Sequence, residues 1–149
     1  MKIDSLEEIL RFAIRKEADA SLFYKILMDR SDPGMKKTFQ ELAEMEEEHR
    51  KKLEGFDLKN VEEMGLEEAK GLGIAEMMED IPFSSEMSYA ELIRVAIKQE
   101  EKSERLYLST EKLVKEPKLK RLLLFLAQEE TGHKLRLEKI YDEEILKEF

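Results

Sequence analysis

The sequence predicts an all-α fold, a four-helix bundle of two antiparallel hairpins joined by a long crossover, and three observations carry that reading. Apolar residues recur at helical spacing along most of the chain. Charged residues reach 41% while 149 residues hold only 6 glycines and 3 prolines, a composition rich in helix formers. The chain also repeats itself. "SLEEILRFAIRKEADASLFY" from Ser5 aligns with "SYAELIRVAIKQEEKSERLY" from Ser88, so that Arg11, Ala13, Ile14, Glu17 and Tyr24 return as Arg94, Ala96, Ile97, Glu100 and Tyr107. After one inserted residue, Pro33, Leu42, Ala43, Glu46, His49 and Leu53 return as Pro117, Leu126, Ala127, Glu130, His133 and Leu137.

The first helix is expected over about 5–29, opened by Ser5 and Glu8, which form a capping box: the serine accepts from an orphan backbone N–H and the glutamate reaches back. The second runs over about 33–54, with Pro33 in the first turn, where a missing N–H costs nothing. The third, about 88–113, opens with a second capping box at Ser88 and Glu91, and the fourth, about 117–146, with Glu116-Pro117. Between the hairpins lie the 33 residues from Gly55 to Met87. Gly65, Gly71, Gly73 and Pro82 prevent one long helix there, while "LEEAK" and "IAEMMED" allow short ones. A helix of about 24 residues is roughly 36 Å long, a distance this segment can cross. Met64, Met77, Met78, Ile81 and Phe83 are expected to pack it down on the bundle. One domain over residues 1–149 is the expectation.

A net charge of −9 argues against nucleic acid and against an anionic membrane surface. The absence of cysteine excludes disulfides, thiolate zinc sites and cysteine-ligated iron–sulfur centres. The N-terminal stretch is charged too early for a signal peptide, and no apolar run approaches the roughly 20 residues of a spanning helix. A cytoplasmic protein is expected.

The helical seams locate the chemistry. Buried-face spacing selects Leu6, Leu10, Ala13, Glu17, Ala20, Tyr24 and Leu27 in the first helix and Met35, Phe39, Leu42, Glu46, His49 and Leu53 in the second. It selects Tyr89, Ile93, Ala96, Glu100, Ser103 and Tyr107 in the third, and Leu119, Leu123, Leu126, Glu130, His133, Leu137 and Ile140 in the fourth. Glu44, Glu47 and Glu48 fall off the seam and read as a solvated face. One Glu-x-x-His in a glutamate-rich helix carries little weight. Six ligand-type side chains at matched heights on four helices carry a great deal. Four carboxylates gathered in an apolar interior are expensive unless neutralised, and two divalent cations neutralise them. The i, i+3 spacing lets a carboxylate and an imidazole grip one ion.

The pattern Glu, Glu-x-x-His, Glu, Glu-x-x-His over nearly the whole chain resembles the ferritin-like di-iron carboxylate superfamily, and "AIRKEADASLFY" and "LAEMEEEHRKKL" look most like rubrerythrin. The resemblance implies that Glu17, Glu46 and His49 hold one metal and Glu100, Glu130 and His133 the other, with Glu46 and Glu130 bridging. The two seams that carry Glu46 and Glu130 face each other, which points the same way. Two departures stand out: rubrerythrins carry a further glutamate one turn after the third-helix ligand, where this chain has Ser103, and usually add a rubredoxin-type domain with four cysteines. The sequence therefore looks like a rubrerythrin bundle reduced to its di-metal core.

An oxygen-rich ligand set with two imidazoles and no sulfur suits iron or manganese. Two Fe ions per chain, with Mn as the alternative, are expected, and Glu17, Glu46, Glu100 and Glu130 are then the catalytic carboxylates. Tyr24 and Tyr107, two turns along the seam, are placed to donate hydrogen bonds that orient ligand carboxylates. The leading expectation is an oxidoreductase that reduces peroxide or dioxygen, with ferroxidase activity as an extension. It would take electrons from a separate donor protein and form a homodimer. An iron-storage subunit and a metal-stabilised module without turnover are the alternatives.

Overall fold

The computed structural model describes residues 6–58 and 71–146. Helix α1 spans Leu6–Arg30, α2 Pro33–Glu54, α3 Ile74–Met77, α4 Tyr89–Glu111 and α5 Pro117–Ile140, after which the chain widens into a π-helical turn over Tyr141–Ile145. The described residues include no strand. α1 packs along α2 and α4 along α5, giving the two expected hairpins, and the hairpins meet where α1 lies against α4. The fourth helix departs from expectation in its last turn, which is π rather than α. Ser5, Met64, Gly65 and "LEEAK" lie outside the described residues.

Helix starts follow their sequence signals. The Ser88 hydroxyl accepts from the Glu91 N–H at 3.1 Å, and the Glu91 carboxylate accepts from that hydroxyl at 3.2 Å. Glu116 caps α5 by accepting from the Leu119 N–H at 2.8 Å, a bond that sequence reading did not assign to it. Pro33 and Pro117 both stand in the first turn of their helices.

The core is divided. One apolar cluster takes Leu6, Leu10 and Ala13 from α1, Leu53 from α2, Leu106 from α4 and Leu119, Leu123 and Leu126 from α5. The other takes Phe23 and Leu27, Phe39 and Leu42, Leu92 and Ile93, and Leu137 and Ile140 from the same four helices. On every helix the residues between these stretches are the seam acids and histidines. The bundle is therefore two apolar blocks with one polar layer between them.

The crossover packs down in part. Ile74 and Met78 are buried in the first cluster, Met77 and Ile81 are half-buried, and Phe83 meets the Phe23 ring edge-on at 4.8 Å yet stays 46% exposed. Polar ties hold it as well: Lys16 pairs with Asp80 at 2.8 Å, Lys102 donates to the Glu79 carbonyl at 2.9 Å, and Arg30 donates to the Met87 carbonyl at 2.6 Å. No described helix is long and apolar enough to cross a membrane.

The split core makes a testable contrast. Leu126 is fully buried and its neighbour Leu124 is 40% exposed. Leu126→Ala should cost about 2–5 kcal/mol in urea unfolding. Leu124→Ala should stay within about 0.5 kcal/mol. Equal costs would mean that the α5 seam is out of register with the core.

Candidate metal centre

The polar layer brings all six predicted ligand-type residues together. Glu17 from α1, Glu46 and His49 from α2, Glu100 from α4, and Glu130 and His133 from α5 are each no more than 3% exposed. Their placement is symmetric across the repeat. His49 Nδ1 lies 2.9 Å from Glu130 Oε1 and 3.5 Å from Glu17 Oε2, while His133 Nδ1 lies 2.7 Å from Glu46 Oε1 and 3.7 Å from Glu100 Oε1. The imidazoles stack nearly parallel, 13° apart with centroids 5.7 Å apart. Each histidine thus meets the seam glutamate of the opposite hairpin's second helix, because α2 and α5 present Glu-x-x-His to each other.

The tyrosines complete the cross-connection. Tyr24 of α1 donates to Glu100 of α4, and Tyr107 of α4 donates to Glu17 of α1, each at 2.5 Å. Burial, reinforced by the neighbouring carboxylates, pushes both phenols well above their ordinary pKa, so they stay protonated and act as donors.

These contacts leave the layer unsatisfied. Glu17 Oε2, Glu46 Oε1, Glu100 Oε2 and both nitrogens of His133 are buried without a hydrogen-bond partner among the described residues. The 2.7 Å approach of His133 Nδ1 to Glu46 Oε1 lacks hydrogen-bond geometry, so the two atoms crowd each other. Buried donors and acceptors are normally paired, and an unpaired set of this kind is costly. Buried oxygen and nitrogen atoms gathered without hydrogen-bond partners are what a cation requires. One ligand atom each from Glu17, Glu46, His49 and Glu130 lies within 4.8 Å of the others, as does one each from Glu46, Glu100, Glu130 and His133. Glu46 and Glu130 belong to both groups.

Titration follows from the same crowding. Burial, and then repulsion from Glu100 and Glu17, push Glu46 well above the ordinary carboxylate range, and burial and the same neighbours do so to Glu130. Burial pushes Glu100 up too, but its contacts with Glu130, His133 and Tyr24 outweigh that and hold it low. At His49 burial opposes the charged form, yet the Glu17 carboxylate and its neighbours raise the imidazole overall. Outside the layer, Glu47 pairs with Arg50 at 2.9 Å and is held below the ordinary range by that bond, while Glu44 and Glu48 are exposed.

A single rubrerythrin family model matches residues 8–85 and 91–148 of the sequence. The chain belongs to the rubrerythrin family. Among solved structures, this rubrerythrin-family chain is similar to a Thermotoga maritima protein described as a ferritin-like diiron-carboxylate protein. That match has 19% identity and a TM-score of 0.73, covering 96% of this chain and 98% of the other. A hypothetical protein from Pyrococcus furiosus is also similar, with 30% identity and a TM-score of 0.69, covering 93% of this chain and 89% of the other. No curated protein matches significantly. The ferritin-like bundle expected from the repeat is therefore the fold of this rubrerythrin-family chain.

Two neighbours of the layer escape seam counting. Glu129 places a carboxylate oxygen 3.7 Å from His49 Nε2, and the Phe125 ring stands edge-on to the His49 ring at 6.3 Å. Both lie off the α5 seam and reach the layer from the side facing α2. In the first half of the repeat the equivalent positions are Met45 and Glu41, so the duplication offers no second copy to flag them.

Two predictions follow from the crowded acids. Replacing Glu46 by leucine removes a desolvated acid and adds apolar contact, so Glu46→Leu should raise the melting temperature of metal-free protein and sharply weaken metal binding. Glu47→Leu should leave metal binding intact. If the two variants behave alike in melting and in metal titration, Glu46 does not sit in the layer.

The second prediction concerns pH. Glu46 and Glu130 are raised above the ordinary value of 4.5, and His49 above 6.5. A raised group stabilises the fold fully below its unfolded pKa, and that contribution is lost as pH climbs through the folded pKa. Glu100 is lowered, so its contribution is lost only as pH falls below 4.5. Above about pH 5 the two glutamates act, joined by His49 above 6.5, and the chelator-treated protein should melt progressively lower as pH rises toward about 8. Metal affinity should rise over the same interval, because binding displaces those protons. A flat apo profile from calorimetry would contradict the crowding.

Proposed function

We propose that this protein is a di-iron carboxylate oxidoreductase that reduces peroxide or dioxygen, with manganese as the alternative metal and ferrous oxidation as an accompanying activity. The observation that carries the reading is the pair of carboxylate–imidazole groups sharing Glu46 and Glu130, with buried oxygens and nitrogens lacking any other partner. Glu17, Glu46, His49 and Glu130 would hold one ion and Glu46, Glu100, Glu130 and His133 the other. Four carboxylates and two neutral imidazoles match the charge of two divalent cations, and the absence of sulfur favours iron or manganese. Two adjacent redox metals supply two electrons to a single O–O bond when bound.

The protein's own contribution is arrangement. Tyr107 and Tyr24 each occupy one oxygen of Glu17 and Glu100, fixing the carboxylates' rotation and leaving Oε2 of each free for a cation. Both histidines turn Nδ1 toward the carboxylates. The apolar blocks on either side exclude bulk water and lower the local dielectric, which strengthens every interaction within the layer. All six groups come from one chain, so the layer needs no second subunit to be complete. Sustained reduction requires electrons from outside, and with no cysteine in the sequence there is no thiolate-ligated cluster to relay them. A separate electron-transfer protein is the proposed donor.

Anaerobically reconstituted protein should bind about two Fe or Mn ions per chain, and the double variant His49→Ala/His133→Ala should bind far fewer. A plateau at one ion, or binding indifferent to the histidines, would sink the dinuclear reading. Ferrous-loaded protein mixed with hydrogen peroxide in a stopped-flow spectrometer should oxidise rapidly once and then stall. Repeated turnover with a nicotinamide cofactor as sole reductant would show an electron inlet within this chain.

A further inference from the structure

Sequence spacing places Ala20 and Ser103 on the buried seams of α1 and α4, but both are only half-buried. They occupy equivalent positions of the repeat, and so do Lys16 and Gln99. All four line one small cavity of about 20 Å³ between α1 and α4, whose remaining wall includes Glu100 and Glu130. A space of that size admits roughly one water molecule. Glu100 is also the residue whose Oε2 is buried without a partner.

A second cavity of about 20 Å³ continues outward. It shares Lys16, Gln99 and Ser103 with the first and is roofed by Met77, Glu79 and Ile81 of the crossover. Glu79 is exposed at its outer edge, and Asp19 is exposed at the rim of the inner cavity. Lys16, which lines both cavities, is paired with Asp80 at 2.8 Å, and Lys102, which lines the outer one, donates to the Glu79 carbonyl at 2.9 Å, so both ammonium groups are held on partners and their repulsion of a passing cation is reduced. Apolar side chains, Phe12, Leu106 and Met77 among them, wall much of the outer cavity, and Gln99 and Ser103 carry a polar strip from it to the inner cavity and two of the buried carboxylates. Apolar packing closes the bundle above and below it.

We propose that the α1–α4 seam at Ala20 and Ser103 is the passage by which a divalent cation enters and leaves the carboxylate layer, the small side chains at these two positions setting its width. The proposal rests on the metal-binding reading above. Carboxylate oxygens of Asp19 and Glu79 attract the hydrated ion, the Gln99 amide and Ser103 hydroxyl replace part of its shed water, and Glu100 and Glu130 receive it. Substituents larger than a methyl or hydroxymethyl group at these positions fill the gap and make exchange wait for local opening of the bundle.

The test is the kinetics of cobalt(II) binding to metal-free full-length protein, followed by the visible bands of the bound ion. Ala20→Leu and Ser103→Leu, made separately so that poor folding of one leaves the other, should each slow association and dissociation alike by about tenfold or more, leaving Kd near that of the parent. Ser103→Ala, which keeps the gap, should exchange at the parental rate. A residue that merely supports the ligands would change Kd instead, and that result overturns the proposal. So do leucine variants that load as fast as the parent, or loading accelerated only by Phe125→Ala on the α2 side. If the parent itself binds no cobalt, the metal reading fails and the passage with it. If it binds two ions at rates indifferent to both leucines, only the passage fails.

Discussion

Four carboxylates and two imidazoles share one dry layer of the bundle, and the cost of keeping them there governs the rest of the molecule. Desolvating a carboxylate costs several kcal/mol even after relaxation, and like charges this close compound it. Burial and mutual repulsion push Glu46 and Glu130 toward their protonated forms, which relieves part of that cost, and the hydrogen bonds from Tyr24 and Tyr107 relieve more. The remainder is left standing in the unpartnered oxygens and in the crowded His133–Glu46 contact. A layer assembled only for stability would be apolar here, as it is on either side.

The two apolar blocks are therefore supports as much as cores. Phe39 and Leu42 on one side of Glu46 and Leu53 on the other fix the height of Glu46 and His49, and Leu126 and Leu137 do the same for Glu130 and His133. The tyrosines join block to layer: the Tyr107 ring belongs to the first cluster and the Tyr24 ring to the second, while each hydroxyl reaches across to the other hairpin's glutamate. Removing either ring would loosen a block and free a carboxylate at once, so packing and site geometry are coupled.

The layer was legible in the sequence because a 3-4 seam broken at one height by Glu or Glu-x-x-His is an unusual event, and duplication repeats it. Glu46 was separable from Glu44, Glu47 and Glu48 by register alone. Helix boundaries were legible where proline or serine marks them, and less so at the end of α5, where no breaker announces the π turn at Tyr141. Phe83 was read as a packing residue from its apolarity, but the crossover's path leaves one side of its ring in solvent. Seam counting assigned Ala20 and Ser103 to the core because it knows a residue's direction and not the size of its neighbours. Glu129 and Phe125 were invisible for a related reason: a side chain off the seam can still reach the layer at its open flank.

Symmetry among the six layer side chains conceals asymmetry around them. His49 has the Glu129 carboxylate 3.7 Å from its outer nitrogen, while the outer nitrogen of His133 is buried without a partner, and the position equivalent to Glu129 is Met45. A carboxylate facing the outer edge of an imidazole favours one ring orientation and increases the basicity of the nitrogen opposite. The two halves of the layer therefore offer unequal surroundings, even though the internal repeat matches their six polar side chains. The inner cavity sharpens the difference, because Glu100 and Glu130 line it while Glu17 and Glu46 do not. Glu129 and Phe125 flank His49 on one side of the layer, and the cavity beside Ser103 reaches Glu100 and Glu130 on another.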